Sequence, residues 1–102
     1  MFSPHMEINI LSDNPSSWFV YLLRCSDKSI YTGITTNLNQ RIHEHNHSEK
    51  GAKYTRGRRP VTLLYQEKLT SRSEASQREY QIKRMKKSAK EQLVKDSMAP
   101  VI

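Results

Sequence analysis

Two tyrosines, an arginine, a histidine and a glutamate are the side chains of this sequence whose positions suggest chemistry as well as packing. Tyr21 and Tyr31 lie in two strand-like segments, Trp18–Leu23 and Ile30–Gly33, joined by a polar turn. Tyrosines also fill pleated sheet surfaces without any function. Gly33 weighs against that bland reading, because glycine inside a strand costs stability and often marks close approach of a ligand or backbone. A phenol titrates near pH 10, so acid–base work requires either a proton relay or a pKa lowered by a nearby cation or metal.

Arg41 and His45 are four residues apart in a helical segment and share a face, with His45 beside Leu38 and Ile42 and therefore partly shielded. A solvated helix surface is the competing reading. Glu79 falls four residues after Ala75 and three before Ile82, on or beside the buried side of a second helix. An acid there is costly unless paired or metal-bound. Arg78 lies equally near that side, so periodicity leaves open which of the two points inward, and a local salt bridge is the alternative for Glu79. His43 and His47, one turn apart, invite a zinc reading. Zinc wants three or four ligands, however, and the single cysteine, Cys25, sits in the apolar hairpin as a buried, inert thiol.

Lys50, Lys53, Arg56, Arg58 and Arg59 follow with no acidic residue among them, and Gly51 and Gly57 loosen their backbone. Like charges at this density repel one another without a counter-anion, and Tyr54 between them offers a ring on which an exposed base can stack. Lys83, Arg84, Lys86, Lys87 and Lys90 form a second basic run, read either as a solvated face or as further backbone contact.

The elements that must position these groups follow from pattern. Apolar residues point both ways in Trp18–Leu23, which places that strand centrally, covered on both faces. Whether Tyr21 and Tyr31 share a face depends on the hairpin register. An odd loop such as Asp27–Ser29 puts them together, and a four-residue loop separates them. Thr36-Asn37 and Gln40 mark the start of a helix to about Asn46 or His47, followed by a loop from Ser48 to Pro60. Val61–Tyr65 reads as a third strand, Ser71 or Ser73 to about Lys86 as a second helix, and Ala89–Lys95 as a short third. The expected fold is α/β (α+β) in the order β-β-α-β-α-α, a small three-stranded sheet carrying helices. Its first two strands are antiparallel, and the sense of the third is open.

At 102 residues the chain is one domain with a modest core, since only 35% of it is hydrophobic. Residues 1–17 read as a loosely attached extension with a short strand at Glu7–Leu11, 18–95 as the domain and 96–102 as a tail. The net charge of +7 favours a polyanionic partner, nucleic acid above all. One cysteine excludes an intramolecular disulfide, and no run reaches the length of a membrane span, so a soluble cytoplasmic protein is expected.

Phe19-Val20-Tyr21, with Tyr21 ten residues before the tyrosine of Tyr31-Thr32-Gly33, resembles the paired signature of the GIY-YIG nuclease superfamily. From Trp18 to about Val94 the chain is similar to its short single-domain, YhbQ-like members, most closely over Gly51–Pro60. The resemblance implies a metal-dependent endonuclease that hydrolyses phosphodiesters of nucleic acid, DNA in preference to RNA, in a setting such as repair or recombination. It implies Tyr21 as the water-activating phenol and Tyr31 as the group positioning water or phosphate. Arg41 would hold the scissile phosphate, and His45 would relay a proton or assist the leaving group. Glu79, in Glu79-Tyr80-Gln81-Ile82-Lys83, takes the place of the family's single metal-binding glutamate and would hold Mg²⁺ or Mn²⁺. Lys50, Lys53, Tyr54, Arg56, Arg58, Arg59 and Lys83 would face the nucleic acid.

The pattern also departs from the family. Lys28 stands where relatives often have a turn glycine, and Ile34 where many have a lysine. No asparagine follows Asn46. Larger relatives carry separate DNA-binding domains, so target choice here would come from elsewhere, for instance a protein partner. A non-catalytic nucleic-acid-binding or adaptor module with the same fold therefore stays beside the enzyme reading.

Overall fold

The computed structural model describes residues 17–98, so the expected strand at Glu7–Leu11 lies outside the described residues. The strands are β1 (Trp18–Arg24), β2 (Ile30–Thr35) and β3 (Thr62–Leu69). The helices are α1 (Leu38–His47), α2 (Lys53–Arg56), α3 (Arg72–Lys83) and α4 (Lys87–Met98). This is the expected order with one extra helical turn, α2, inside the basic loop. The sheet order is β2-β1-β3, with β1 central and antiparallel to both neighbours, which decides the sense of the third strand.

β1 occupies the centre because both of its faces are apolar enough to be covered. Val20 and Leu22 meet Ala75, Ile82 and Val94 from α3 and α4 on one side. Tyr21, Leu23 and Cys25 meet Val61 and the Leu38 and Ile42 side chains of α1 on the other. Asn37 caps α1 by accepting from the Gln40 N–H, and Ser71 caps α3 by accepting from that of Glu74, as their positions in the sequence require. A bidentate pair, Arg24 Nη1 and Nη2 to Glu91 at 2.8 Å each, ties α4 to the end of β1.

The hairpin settles the register. Tyr21 pairs with Gly33 and Leu23 with Tyr31, and the loop between Arg24 and Ile30 has an odd number of residues, so both phenols lie on one face. The turn closes through Cys25 N–H to Ser29 O and Lys28 N–H to Cys25 O, each 2.9 Å. Lys28 takes a left-handed φ of 71° where glycine is the comfortable residue. That conformation costs about 1–2 kcal/mol. The Asp27 carboxylate, accepting from the Ser29 N–H and hydroxyl, offsets part of it.

The bounds of three elements differ from the sequence pattern. β3 runs to Leu69, through the weak strand formers Gln66, Glu67 and Lys68, because β1 offers a ladder partner along its whole length. Val61 is buried just ahead of that strand. α3 ends at Lys83 and α4 begins at Lys87, so the second helix is shorter and the third longer than periodicity indicated.

Candidate active site

The site grows from one close approach. Tyr21, 1% exposed, lies cross-strand from Gly33, and a Cβ at position 33 would stand 2.5 Å from the phenolic oxygen. The Gly33 signal is therefore real, but what comes close is a neighbouring side chain of the same protein. The phenol passes over the glycine and bonds at 2.8 Å to Nε2 of His45, which is itself fully buried on α1. Nδ1 of that imidazole lies 2.9 Å from the hydroxyl of Thr55, also fully buried, and this hydroxyl donates to Ala52 O at 2.9 Å. Because the Thr55 hydroxyl already donates to Ala52 O, Nδ1 carries the imidazole proton and donates to Thr55, a choice that outweighs the longer 3.4 Å approach of the Ala52 N–H to Nδ1. Nε2 then accepts the phenolic hydrogen.

Thr55 was not among the residues singled out from the sequence. No local pattern marks it, since its partner lies ten residues away and meets it only because the loop folds back over α1. Gly51 makes that return possible. A Cβ there would lie 2.6 Å from Glu44 O and 2.9 Å from the His45 Cα, so its part is close seating, not looseness. Asn46 clamps Val61 from both sides, donating to its carbonyl at 3.0 Å and accepting from its N–H at 2.7 Å.

The basic loop divides into two groups. Arg59 donates to His45 O at 2.5 Å and Ser48 O at 2.6 Å, covering the last carbonyls of α1, where a cation also suits the helix dipole. Arg58 pairs with Asp27 at 2.9 Å, donates to Tyr54 O at 2.8 Å and sits 3.9 Å above the Tyr54 ring. Tyr54 stacks on Tyr31 with centroids 5.9 Å apart. All three have internal partners, while Tyr54 stays 40% exposed and the Arg58 side chain 38% exposed. Lys50, Lys53 and Arg56 are exposed and form no ion pair among the described residues.

Around the buried chain stand the remaining candidates. Tyr31 packs 6.4 Å from Tyr21 and 5.2 Å from His45, centroid to centroid. Arg41 donates to Glu44 at 2.8 Å and Lys50 O at 2.7 Å. Glu79 comes from α3, on the opposite layer, yet its charge is near enough to Tyr21 to oppose ionisation of the phenol. β2 is an edge strand, so a side chain of α3 can reach the end of Tyr21 that overhangs Gly33. Arg78 turns the other way, to Glu67 on β3 at 2.8 Å, which resolves what periodicity left open. Glu79 does carry a local ion pair, with Lys83 Nζ 3.2 Å from its Oε2.

Electrostatics separate the two routes open to a catalytic phenol. Burial, with Tyr31 beside it, pushes Tyr21 up to about 12, and the Arg41 charge does not reverse this. A phenol with a lowered pKa is thus not what the protein builds. Burial, then Arg41 and Arg59, hold His45 down at about 4, so the imidazole is neutral at pH 7 and has a ring nitrogen open to accept a hydrogen bond. The geometry favours a relay.

The His43 and His47 rings lie tilted to each other with centroids 4.7 Å apart, and no group of three or more metal-ligating side chains forms among the described residues. Glu79, half-buried and paired with Lys83, offers a single carboxylate, which suits Mg²⁺ or Mn²⁺, hard ions that keep waters and complete their shell with substrate phosphate.

Comparison with known proteins agrees with this geometry. The chain is 57% identical over 86 residues to a UPF0213 protein of Desulfotalea psychrophila, covering 84% of this chain and 77% of that one. It is 50% identical to one of Staphylococcus haemolyticus, covering 76% and 94%. The solution structure of a UPF0213 protein from Bacillus halodurans superposes with a TM-score of 0.54 at 45% identity, covering 82% of this chain and 88% of that one. The solution structure of the protein EF2693 from E. faecalis gives a TM-score of 0.58 at 39% identity, covering 84% of this chain and 91% of that one. The model of the GIY-YIG catalytic domain matches residues 17–92, and the chain belongs to that family, among its short UPF0213 members.

Proposed function

We propose that this protein is a divalent-metal-dependent endonuclease acting on nucleic acid, DNA before RNA. The observation that carries the reading is the buried Tyr21–His45–Thr55 hydrogen-bond chain beside Arg41 and Glu79. A water attacking phosphorus gives a proton to the Tyr21 oxygen while the phenol passes its own to His45 Nε2. No free tyrosinate is needed. Tyr31, half-buried at the rim, holds the water or a phosphate oxygen against the nearly closed phenol. Arg41 exchanges Glu44 for the scissile phosphate and answers its growing charge. Glu79 would hold the metal, which when bound supplies positive charge to the pentavalent phosphorus and the leaving oxygen.

Lys50, Lys53, Arg56 and Lys83 track the strand, and Arg58, Arg59 and Tyr54 hold the loop in shape for them. Residues 18–95 form the working domain, with target choice supplied by a protein partner in a repair or recombination setting. No helix among the described residues is long and apolar enough to cross a membrane.

A second reading, a binding or adaptor module without catalysis, draws on three observations. Tyr21 is almost closed to solvent, Glu79 is already paired with Lys83, and Ile34 stands at the family's lysine position. The deciding experiment is a cleavage panel of branched, single-stranded and duplex substrates in Mg²⁺ or Mn²⁺, wild type beside Glu79→Ala. Metal-dependent nicking that disappears in Glu79→Ala while binding persists supports the enzyme. Equal binding by both with no cleavage on any substrate overturns it.

A further inference from the structure

We propose that Lys83 is an exchangeable counter-ion of Glu79: it occupies the carboxylate while no divalent cation is bound and, once displaced by one, takes a strand phosphate in the groove it lines with Lys90. The inference rests on the metal site proposed above for Glu79, and deepens it.

The ammonium of Lys83 lies 3.2 Å from Glu79 Oε2. A divalent cation bound there would meet a like charge at contact distance, so the two compete for one carboxylate. The partners are unequally free to move. The Glu79 side chain is 23% exposed and that of Lys83 is 53% exposed, so the lysine is the one that can leave. Its flexible four-carbon stem carries a compact charge that re-aims readily.

A destination is already built. A groove of about 270 Å³ is lined by Ile30, Tyr31, Thr32, Tyr54, Lys83 and Lys90, with no acidic residue among them. Lys90 forms no ion pair among the described residues. Tyr31 belongs to both the groove and the reaction centre, so a phosphate held here is a neighbour of the reacting one on the same strand. Metal and strand then bind with positive coupling, and by linkage each strengthens the other. An ordinary surface pair four residues apart on a helix predicts no such coupling.

The test follows Mn²⁺ binding by the electron paramagnetic resonance signal of the free ion, with and without a short single-stranded oligonucleotide carrying non-cleavable phosphate linkages. Lys83→Gln should bind Mn²⁺ about fivefold more tightly than wild type without oligonucleotide, and should lose the oligonucleotide's enhancement of that affinity. Lys90→Gln, outside the ion pair, should keep the wild-type Mn²⁺ affinity in the absence of oligonucleotide and lose the same enhancement. An unchanged Mn²⁺ affinity in Lys83→Gln, or an enhancement intact in both variants, overturns the proposal. If Glu79→Ala binds Mn²⁺ as wild type does, the metal reading fails and this one with it. If the coupling is found and nothing is cleaved, the nuclease reading fails alone.

Discussion

On one side of the sheet Val20 and Leu22 pack against Ala75, Ile82 and Val94, hydrocarbon against hydrocarbon. On the other, the alternate residues of the same strand, Tyr21, Leu23 and Cys25, share their layer with the buried polar groups of His45 and Thr55. The first face is held by area removed from water, which is indifferent to pH and to partner identity. In the second, each polar atom had to find a partner before it could be buried, so its stability depends on protonation and on single hydrogen bonds. In the second face the buried Tyr21 and His45 are hydrogen-bonded to each other, and burial shifts the pKa of both.

The comparison breaks most visibly on the hydrocarbon side. Leu22→Ala should cost about 2–5 kcal/mol through lost contact and the cavity left behind. Urea denaturation reads this directly, and the loss should be the same at pH 5 and pH 8. A strongly pH-dependent loss would mean that the two faces are not separate.

The polar side sharpens the contrast through pH. His45 has a folded pKa of about 4 against 6.5 for the free side chain, so between those values the unfolded chain binds more protons than the folded one. Stability therefore falls as pH drops from 6.5 towards 4, by roughly 2–3 kcal/mol from this group. Tyr21 acts at the other end. With its pKa raised from 10.0 to about 12, its contribution holds below pH 10 and is lost as pH rises through that interval. Urea midpoints across the acid range, wild type beside His45→Gln, should show a slope that the variant lacks.

The smallest stability change should come with a large functional one. Tyr21→Phe keeps the ring over Gly33 and leaves His45 Nε2 without its partner, costing about 1–2 kcal/mol in denaturant. Cleavage should fall by about 10²–10⁴-fold if the phenol starts the relay. A variant that cuts at the wild-type rate would move the base elsewhere.

Much of this organisation was legible in the chain. The central position of β1 follows from its two apolar faces, and the caps at Asn37 and Ser71 from residue type and position. The kinship follows from two tyrosines, Gly33, Arg41 and Glu79 at fixed spacing. The loop was the hard part. Charge density in a sequence does not reveal which cations also have internal partners, as Arg58 and Arg59 do. Asp27 and the carbonyls of α1, which engage them, are distant in sequence or carry no side-chain signal.

By itself the sequence determined the order of elements, the strand that is buried on both faces and the family to which the chain belongs, since alternation, capping and residue spacing are local properties. Only the tertiary structure decided that both phenols face one way, that Arg78 turns to Glu67 on β3, and that His45 is clamped between Tyr21 and Thr55. Each of these depends on hairpin register or on a loop folding back across a helix, and such contacts join residues that carry no record of one another along the chain.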